Sequence, residues 1–525
     1  MQQFTNFLQT KYSFLPADTR SFQTMVSYGM PKIPEDANTV LDHPITLEEV
    51  REAVKKGKRY KSPGPDGICH EFFIKKWDIV KGDLTDIINN MYMEGSVSDS
   101  QKHGHIVCLP KEATSMSPEN YRPLTILNTD YKLLTRIIAN RLRPWMDNIL
   151  HHNQFCGRSG QTIFNAIANV RDIIAYAEES NKPICLLSID FKDAFDNISH
   201  TYLFKILREY EISDQFCSRL QTIYADATST LILNGHKSSP IRVQSAVRQG
   251  CPLSMLLFAL CINPLLINLD KKLKGVYIRH NSAKTTAIAY ADDITIIVTQ
   301  PGEVDTIKDT LHDYMQATGA RISVNKSHAI ALGSWKKLTP MMDINYQDDI
   351  ILLGFHMAMN IKESTNKSWA MLTAKIRAQA QEDYHRALNL ERRIRYVNDY
   401  LLARVWYITQ IFPPPTDHAR QINTAISWFL WKGAIFRVPL STLQRPKEYG
   451  GRALTHIIAK CMTLFLLRME KQGQKKDTFT AEWLRKWRLH GKTPNPPTYN
   501  DGPHEIRIPL PLQHRICIYT HTRSI

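Results

Sequence analysis

Paired cysteines are missing from this sequence. Its nine cysteines, Cys69, Cys108, Cys156, Cys185, Cys217, Cys251, Cys261, Cys461 and Cys517, are odd in number, scattered, and never spaced C-x-x-C. That spacing excludes a disulfide framework or a zinc site as the organising device and fits a reducing compartment. A secretory start is missing too, since "MQQFTNFLQTKYSF" has neither a basic opening nor an apolar stretch. No apolar run reads as long enough to cross a bilayer, so no membrane is expected. Internal repeats and low-complexity tracts are absent, and 43% apolar with 22% charged residues is a globular composition. What the last third has little of is negative charge. Residues 361–525 hold 27 Lys and Arg against 12 Asp and Glu, and the whole chain carries a formal net charge of +16. Nearly all the excess positive charge therefore lies there. A polyanion, most simply nucleic acid, is one reading, and a merely soluble basic surface is the equal alternative. On the first reading, deleting 361–525 weakens nucleic-acid binding and flattens its salt dependence.

At 525 residues the chain is too long for one core and divides into two to four domains. Residues 1–45 are mixed and weakly periodic, an N-terminal extension. "TLEEVREAVKKG" (46–57) is a helix with a capping box of Thr46 and Glu49, and Leu47, Val50 and Val54 share one face. "KSPGPDG" (61–67) is a turn. Residues 119–145 pass from a Pro-broken segment into an amphipathic helix. Residues 304–319 place Ile307, Leu311 and Met315 on one stripe and stop at Gly319. From about 361 the text is mostly helical, interrupted at 412–417 and 493–503. Helices and short strands mixed irregularly predict an α+β fold.

The conspicuous feature is "AIAYADDITIIV" (287–298), where Asp292 and Asp293 sit in an otherwise uncharged run that reads as a β-hairpin. Two acids at an exposed tip are one reading. Yet Asp-Asp is a poor turn for its own sake, so a carboxylate metal site is the other. A third acid, Asp190, ends the apolar strand Ile184–Ile189, although taken alone it reads rather as a strand-end turn residue. Asp193 and Asp196 read as turn or capping acids, and Ser199 as the cap of the next helix. Between the acid clusters, "AVRQGCPLSMLLFALCINPLL" (246–266) is a loop with Gln249 and Gly250, then an apolar helix capped by Ser254. Cys251 reads as a small packed residue.

In this order, the strand-end Asp, the RQG loop with its helix, and the Y-x-D-D hairpin resemble the A, B and C motifs of the reverse transcriptase palm. More narrowly, the chain resembles the reverse transcriptase of non-LTR (LINE-type) retrotransposons. "SPGPDG" (62–67), "IVCLPK" (106–111), "NYRPLTILN" (120–128), "QFCGRSGQT" (154–162), "TGARISVNKS" (318–327) and "LLGF" (352–355) match as well. Together they cover roughly 46–357. "WFLWKG" (428–433) and "RPKEYGG" (445–451) resemble the segment that follows the polymerase core.

The resemblance implies a right-hand polymerase. Fingers and palm, the latter an antiparallel sheet with helices, would occupy 46–360, and a basic helical thumb and C-terminal region 361–525. It implies RNA-directed DNA polymerase activity on an RNA template, a DNA primer and deoxynucleoside triphosphates. Asp190, Asp292 and Asp293 would be catalytic. Asp190, Asp292 and the backbone carbonyl of Phe191 would hold two Mg²⁺ ions, with Mn²⁺ as the substitute. Lys111 and Arg122 would meet the triphosphate. Gln249 and Gly250 would line the nucleotide pocket, Phe195 would lie under the sugar, Lys326 by the leaving pyrophosphate, and Gly354 by the primer end. Met255 stands where the family usually has proline, a packing change. The endonuclease and Cys/His segments of such elements are not found, so a piece of a larger open reading frame is expected. An intracellular, nuclear location follows from the same resemblance. Two other readings stay open: a catalytically silent nucleic-acid-binding remnant, and an RNA-directed RNA polymerase, against which Phe195 speaks.

Overall fold

The computed structural model describes residues 1–489 apart from 112–115, 279–283, 336–343, 387, 434–437 and 475–477. The break at 493–503 and Cys517 lie outside the described residues. The strands in chain order are β1 (His103–Pro110), β2 (Tyr121–Leu127), β3 (Ile184–Ile189), β4 (Thr228–Leu233), β5 (His236–Lys237) and β6 (Ile241–Arg242). They continue with β7 (Ala287–Tyr290), β8 (Asp293–Val298), β9 (His328–Leu332), β10 (Asn345–Tyr346), β11 (Asp349–Leu352) and β12 (Phe355–Ala358). One sheet runs β2-β1-β4-β5, with β6 on β4. A second runs β10-β9-β3-β8-β7, and β11 pairs with β12 as a separate ribbon. In the second sheet the β9, β3, β8 and β7 ladders are antiparallel, and only β10 joins in parallel. This mixture of segregated helices and antiparallel strands is the expected α+β class.

The second sheet is buried on both faces, and period-two alternation sorts its residues between two cores. Cys185, Leu187, Ile189, Ile294, Ile296, Ala287, Ala289 and Ala329 face the first core. Ile184, Leu186, Ile288, Ile297, Ile330 and Leu332 face the second. The first core is completed by helix Ser254–Lys272, helix Glu303–Thr318 and N-terminal residues such as Phe22, Met25 and Val50. The second is completed by helix Ile163–Ser180 and by Trp369, Leu372, Ile376, Val397, Leu401 and Phe429 from beyond residue 360. Both faces of strand β8 are therefore dry, where the sequence suggested an alternating half-buried strand.

Several local expectations change. Residues 121–127 form strand β2, not merely a Pro-broken run. Pro123 is tolerated because β2 lies at the sheet edge and pairs only with β1. The helix after it, Thr129–Leu142, is buried nearly all round. The capping box of Thr46 and Glu49 is present, but Leu47 is exposed, and Val50, Ala53 and Val54 carry the buried face. Residues 324–326 form a 3₁₀ turn, not the end of a strand. Ser254 begins its helix without capping it, and its hydroxyl donates to the Arg248 carbonyl at 2.8 Å. That helix is, by length and composition, apolar enough to cross a membrane, contrary to the reading of the sequence, but it lies 83% buried inside the fold. Its polar residues fix its place: Asn268 donates to the Met25 carbonyl (2.7 Å) and Asn263 to the Ile149 carbonyl (2.9 Å).

Residues 1–45 form helices Gln2–Lys11, Thr19–Val26 and Glu35–Asp42, which are packed into the molecule. From Ile361 to Leu489 the described residues are helices joined by turns. All eight cysteines among the described residues are free thiols.

Candidate active site

Strand register gathers the acids. Pairing of β3 with β8 runs from Cys185 opposite Val298 to Ile189 opposite Ile294. One step further along that antiparallel ladder puts Asp190 opposite Asp293, on the sheet face of the pairs Leu186–Ile297 and Ser188–Thr295. That face thus passes from apolar to polar to acidic as it leaves the core. Asp292 lies one residue away, in the turn of the β7–β8 hairpin, where Tyr290 pairs with Asp293. The two central turn residues are therefore Ala291 and Asp292, not Asp292 and Asp293. Ala291 takes the strained left-handed position at φ 56.

Burial raises all three carboxyls. Asp293 is pushed up to about 6 by burial, then by the charges of Asp292 and Asp190. Asp292 is raised by burial and by Asp190, with Arg122 pulling the other way. Asp190 is raised by burial, and Lys326 and Lys111 oppose the rise. Such a cluster favours a cation. Its hard oxygen donors suit a small divalent ion that keeps part of its shell for water and substrate phosphate. Among the described residues no group of three or more His, Cys, Asp or Glu side chains is placed to hold a metal ion by itself. The Phe191 ring packs edge-on against Tyr314 (5.8 Å), which leaves only its backbone to serve a cation. The Asp190 carbonyl is taken by the Ser323 N–H (2.8 Å), and the Asp190 N–H donates to the Ser327 hydroxyl (3.1 Å).

The remaining sequence candidates fall into two groups. Arg122 is exposed on β2 and Lys326 exposed in its 3₁₀ turn, and both are close enough to bias the acids electrostatically. Phe195 stacks on Phe258 at 4.5 Å. Gln249 donates to Asp196 (3.2 Å), and its carbonyl accepts from the Thr125 N–H (2.8 Å). Gly250, at φ +119, is needed for that contact: a Cβ there would stand 2.3 Å from the Thr125 carbonyl oxygen. Its close approach is to strand β2. Lys111 pairs with Asp193 at 3.2 Å. Asp196 is buried and ion-paired, more than a turn acid, and burial pushes its carboxyl up to about 6. Gly354 lies in the β11–β12 turn, beside the Tyr407 ring.

Two supporting residues escaped the sequence reading. Gln154, fully buried, accepts from the N–H groups of Ala291 (3.2 Å) and Cys156 (3.0 Å) and so braces the acidic turn. It lay inside a quoted motif, but nothing local tied it to a turn 137 residues away. Tyr407 donates to the Leu353 carbonyl (2.7 Å), and its hydroxyl is pushed up to about 12 by burial, Tyr290 and Asp293. It thus joins the Gly354 turn to the acidic hairpin.

The acids, their register and the loop around them define a polymerase palm, and residues 109–357 match the family described as reverse transcriptase (RNA-dependent DNA polymerase). The match takes in just under half of the chain. Its relatives are proteins of transposable elements. The 149 kDa protein of transposon TX1 from Xenopus laevis is 29% identical over 448 residues, 84% of this chain and 34% of its own length. The Pol polyprotein of the type-2 retrotransposable element R2DM from Drosophila melanogaster is 21% identical over 407 residues, 74% of this chain and 37% of its own. The RNA-directed DNA polymerase from mobile element jockey of Drosophila funebris is 23% identical over 317 residues, 60% and 34%. The chain thus spans about a third of the length of these curated relatives.

Proposed function

We propose that this chain is the polymerase part of a non-LTR retrotransposon protein and extends a DNA primer on an RNA template. The observation that supports this most is the register that sets Asp190 opposite Asp293 with Asp292 at the adjoining turn. In this reading Asp190, Asp292 and the Phe191 carbonyl would hold two Mg²⁺, with Asp293 in support. Bound there, the ions would activate the primer hydroxyl and neutralise charge on the leaving pyrophosphate.

The chain's own residues do the rest. Arg122, an exposed guanidinium on an edge strand, meets triphosphate oxygens, with Lys111 beside it. Lys326 lies where it can give a proton to the departing pyrophosphate. Phe195, held flat by Phe258, fills the space a ribose 2′-OH would need and offers it no partner. Gln249 and Gly250 fix the floor of the nucleotide pocket against β2, and Gly354 supports the primer end. The basic helices beyond 360 run beside the template–primer duplex, and the nucleus is the place of action for an element of this kind.

The test is primer extension by the purified chain with Mg²⁺, on RNA and on DNA templates, with deoxy- and ribonucleotides. Extension on RNA with deoxynucleotides is expected, and Phe195→Ala should admit ribonucleotides while keeping some deoxynucleotide use. A wild type that prefers ribonucleotides would favour the RNA polymerase reading. Template–primer binding without extension would favour a silent remnant.

A further inference from the structure

The N-terminal helix Gln2–Lys11 lies outside the family match, yet its last residue reaches the palm. Its Leu8, together with Tyr12 just beyond the helix, packs with Ile106, Leu231, Ile241 and Val243 over the first sheet. From there the Lys11 side chain, 5% exposed, enters the loop after Asp190. Its Nζ stands 3.0 Å from an Asp193 oxygen and 3.0 Å from an Asp196 oxygen, themselves 15% and 2% exposed. Asp193 also meets Lys111 at 3.2 Å, and Asp196 also accepts from Gln249 at 3.2 Å. Two lysines and two aspartates therefore close a neutral cluster across the N-terminal helix, the fingers and the palm. In that loop Asp193 adopts φ 49, and one ammonium group serves both carboxylates. Phe195 lies between them in sequence. The entry of the N-terminal segment is fixed on both sides: the Gln244 N–H donates to the Tyr12 carbonyl (2.9 Å) and the Ser199 hydroxyl to the Leu15 carbonyl (2.7 Å).

We propose that Lys11 is a positioning residue for nucleotide binding, an ion-paired lock that sets the Phe195 loop and supplies Asp193 with a standing countercharge. The lock has a consequence for Lys111. With Lys11 in place, Lys111 can exchange Asp193 for a phosphate oxygen without leaving that carboxylate buried and unpaired. Without Lys11, Lys111 is held by Asp193, and Phe195 loses its fixed relation to the sugar. The proposal rests on the polymerase reading for its kinetic effect, but the lock itself does not.

Two measurements test it. In steady-state extension, K11M should raise KM for deoxynucleotides on the order of tenfold and lower the deoxy/ribo preference, with a smaller change in kcat, because the loop is misplaced while the acids stay put. K11R should restore most of both. A purely structural role predicts lost active enzyme at unchanged KM and unchanged sugar preference, and that result overturns the proposal. In thermal melting, K11M, D196N and the double variant form a cycle that needs no activity. The double variant should lose clearly less than the sum of the singles, and additive losses would remove the lock. If K11M alone does not fold while K11M/D196N does, the coupling is supported and the double variant carries the kinetics. A wild type without any extension would count against the polymerase reading and leave the lock to be decided by the melting cycle.

Discussion

Among the hairpins of the described residues that turn on two residues, β11–β12 and β7–β8 make an instructive pair. In β11–β12 the turn is Leu353–Gly354, with φ 49 and 82, the conformation a two-residue hairpin prefers, and glycine takes one of the two positions. In β7–β8 the turn is Ala291–Asp292, with alanine at φ 56 where glycine would be the ordinary choice, and acids at the next two positions. The first turn has its glycine, although Leu353 also takes a left-handed φ and its carbonyl accepts from Tyr407. The second is held from outside, by the Gln154 carbonyl oxygen on the Ala291 N–H and by the apolar β3 and β7 neighbours. Chemistry is placed on the hairpin whose local sequence does not explain its shape.

Four experiments break or sharpen this contrast. The largest effect is expected from Asp292→Asn, which should lower the extension rate by about a thousandfold or more and leave template–primer affinity unchanged. Full activity of that variant with Mg²⁺ as sole divalent ion would rule out the site. Gln154→Leu comes next. It strands two buried N–H groups, so urea denaturation should show a loss of about 1–3 kcal/mol, and extension should fall with it. Unchanged stability and rate would mean that the acidic turn holds itself.

Gly354→Ala should cost about 1–2 kcal/mol through its positive φ alone. The space is there, since a Cβ would meet the Tyr407 ring at an ordinary 3.5 Å. An unchanged urea midpoint would show that this turn is not set by its glycine. The smallest effect is in pH dependence, and the hairpins should differ in sign. Asp293, raised to about 6, favours the folded state most when protonated, so without divalent ions its contribution is lost as pH rises from about 4 to about 6. Asp349 of β11 is opposed by burial but held below its ordinary value by Lys367 and His356, each 2.7 Å away. Its contribution is present above about pH 4 and lost as pH falls through its folded value. Urea midpoints of Asp293→Asn and Asp349→Asn against wild type read the two slopes, and slopes of equal sign would remove the contrast.

What the sequence revealed follows from range. The strand ending at Asp190, the Y-x-D-D hairpin, the Thr46 cap and the Gly319 stop are written within a few neighbouring residues, where period and turn chemistry act. Strand β2 was missed because Pro123 argues locally against a strand, and only its place at a sheet edge excuses it. Ser254 looked like a cap until its hydroxyl was seen turned back to Arg248. Lys11, Gln154 and Tyr407 act across 54 to 185 residues of chain, and no local pattern marks them. The charge asymmetry was legible, but the deletion it suggested would do more than remove charge. Trp369, Leu372, Val397 and Phe429 belong to the same core as Leu186, Ile288 and Ile297, so removing 361–525 would strip part of the core beneath the palm sheet. Charge-reversing exposed residues such as Arg392, Arg395 and Arg420 is the cleaner way to read the salt slope.

That shared sheet bears on how such a gene fails. Each palm strand spells two interleaved messages, alternate letters for one core and for the other, and the second message is answered by helix Ile163–Ser180 together with the helices after residue 360. A premature stop or frameshift far downstream of all three aspartates would therefore disturb the fold that holds them, with every aspartate codon intact. In a lineage of copied genes, an unbroken acid triad is then no sign of a working enzyme unless the reading frame also stays open through the helices that close the second core.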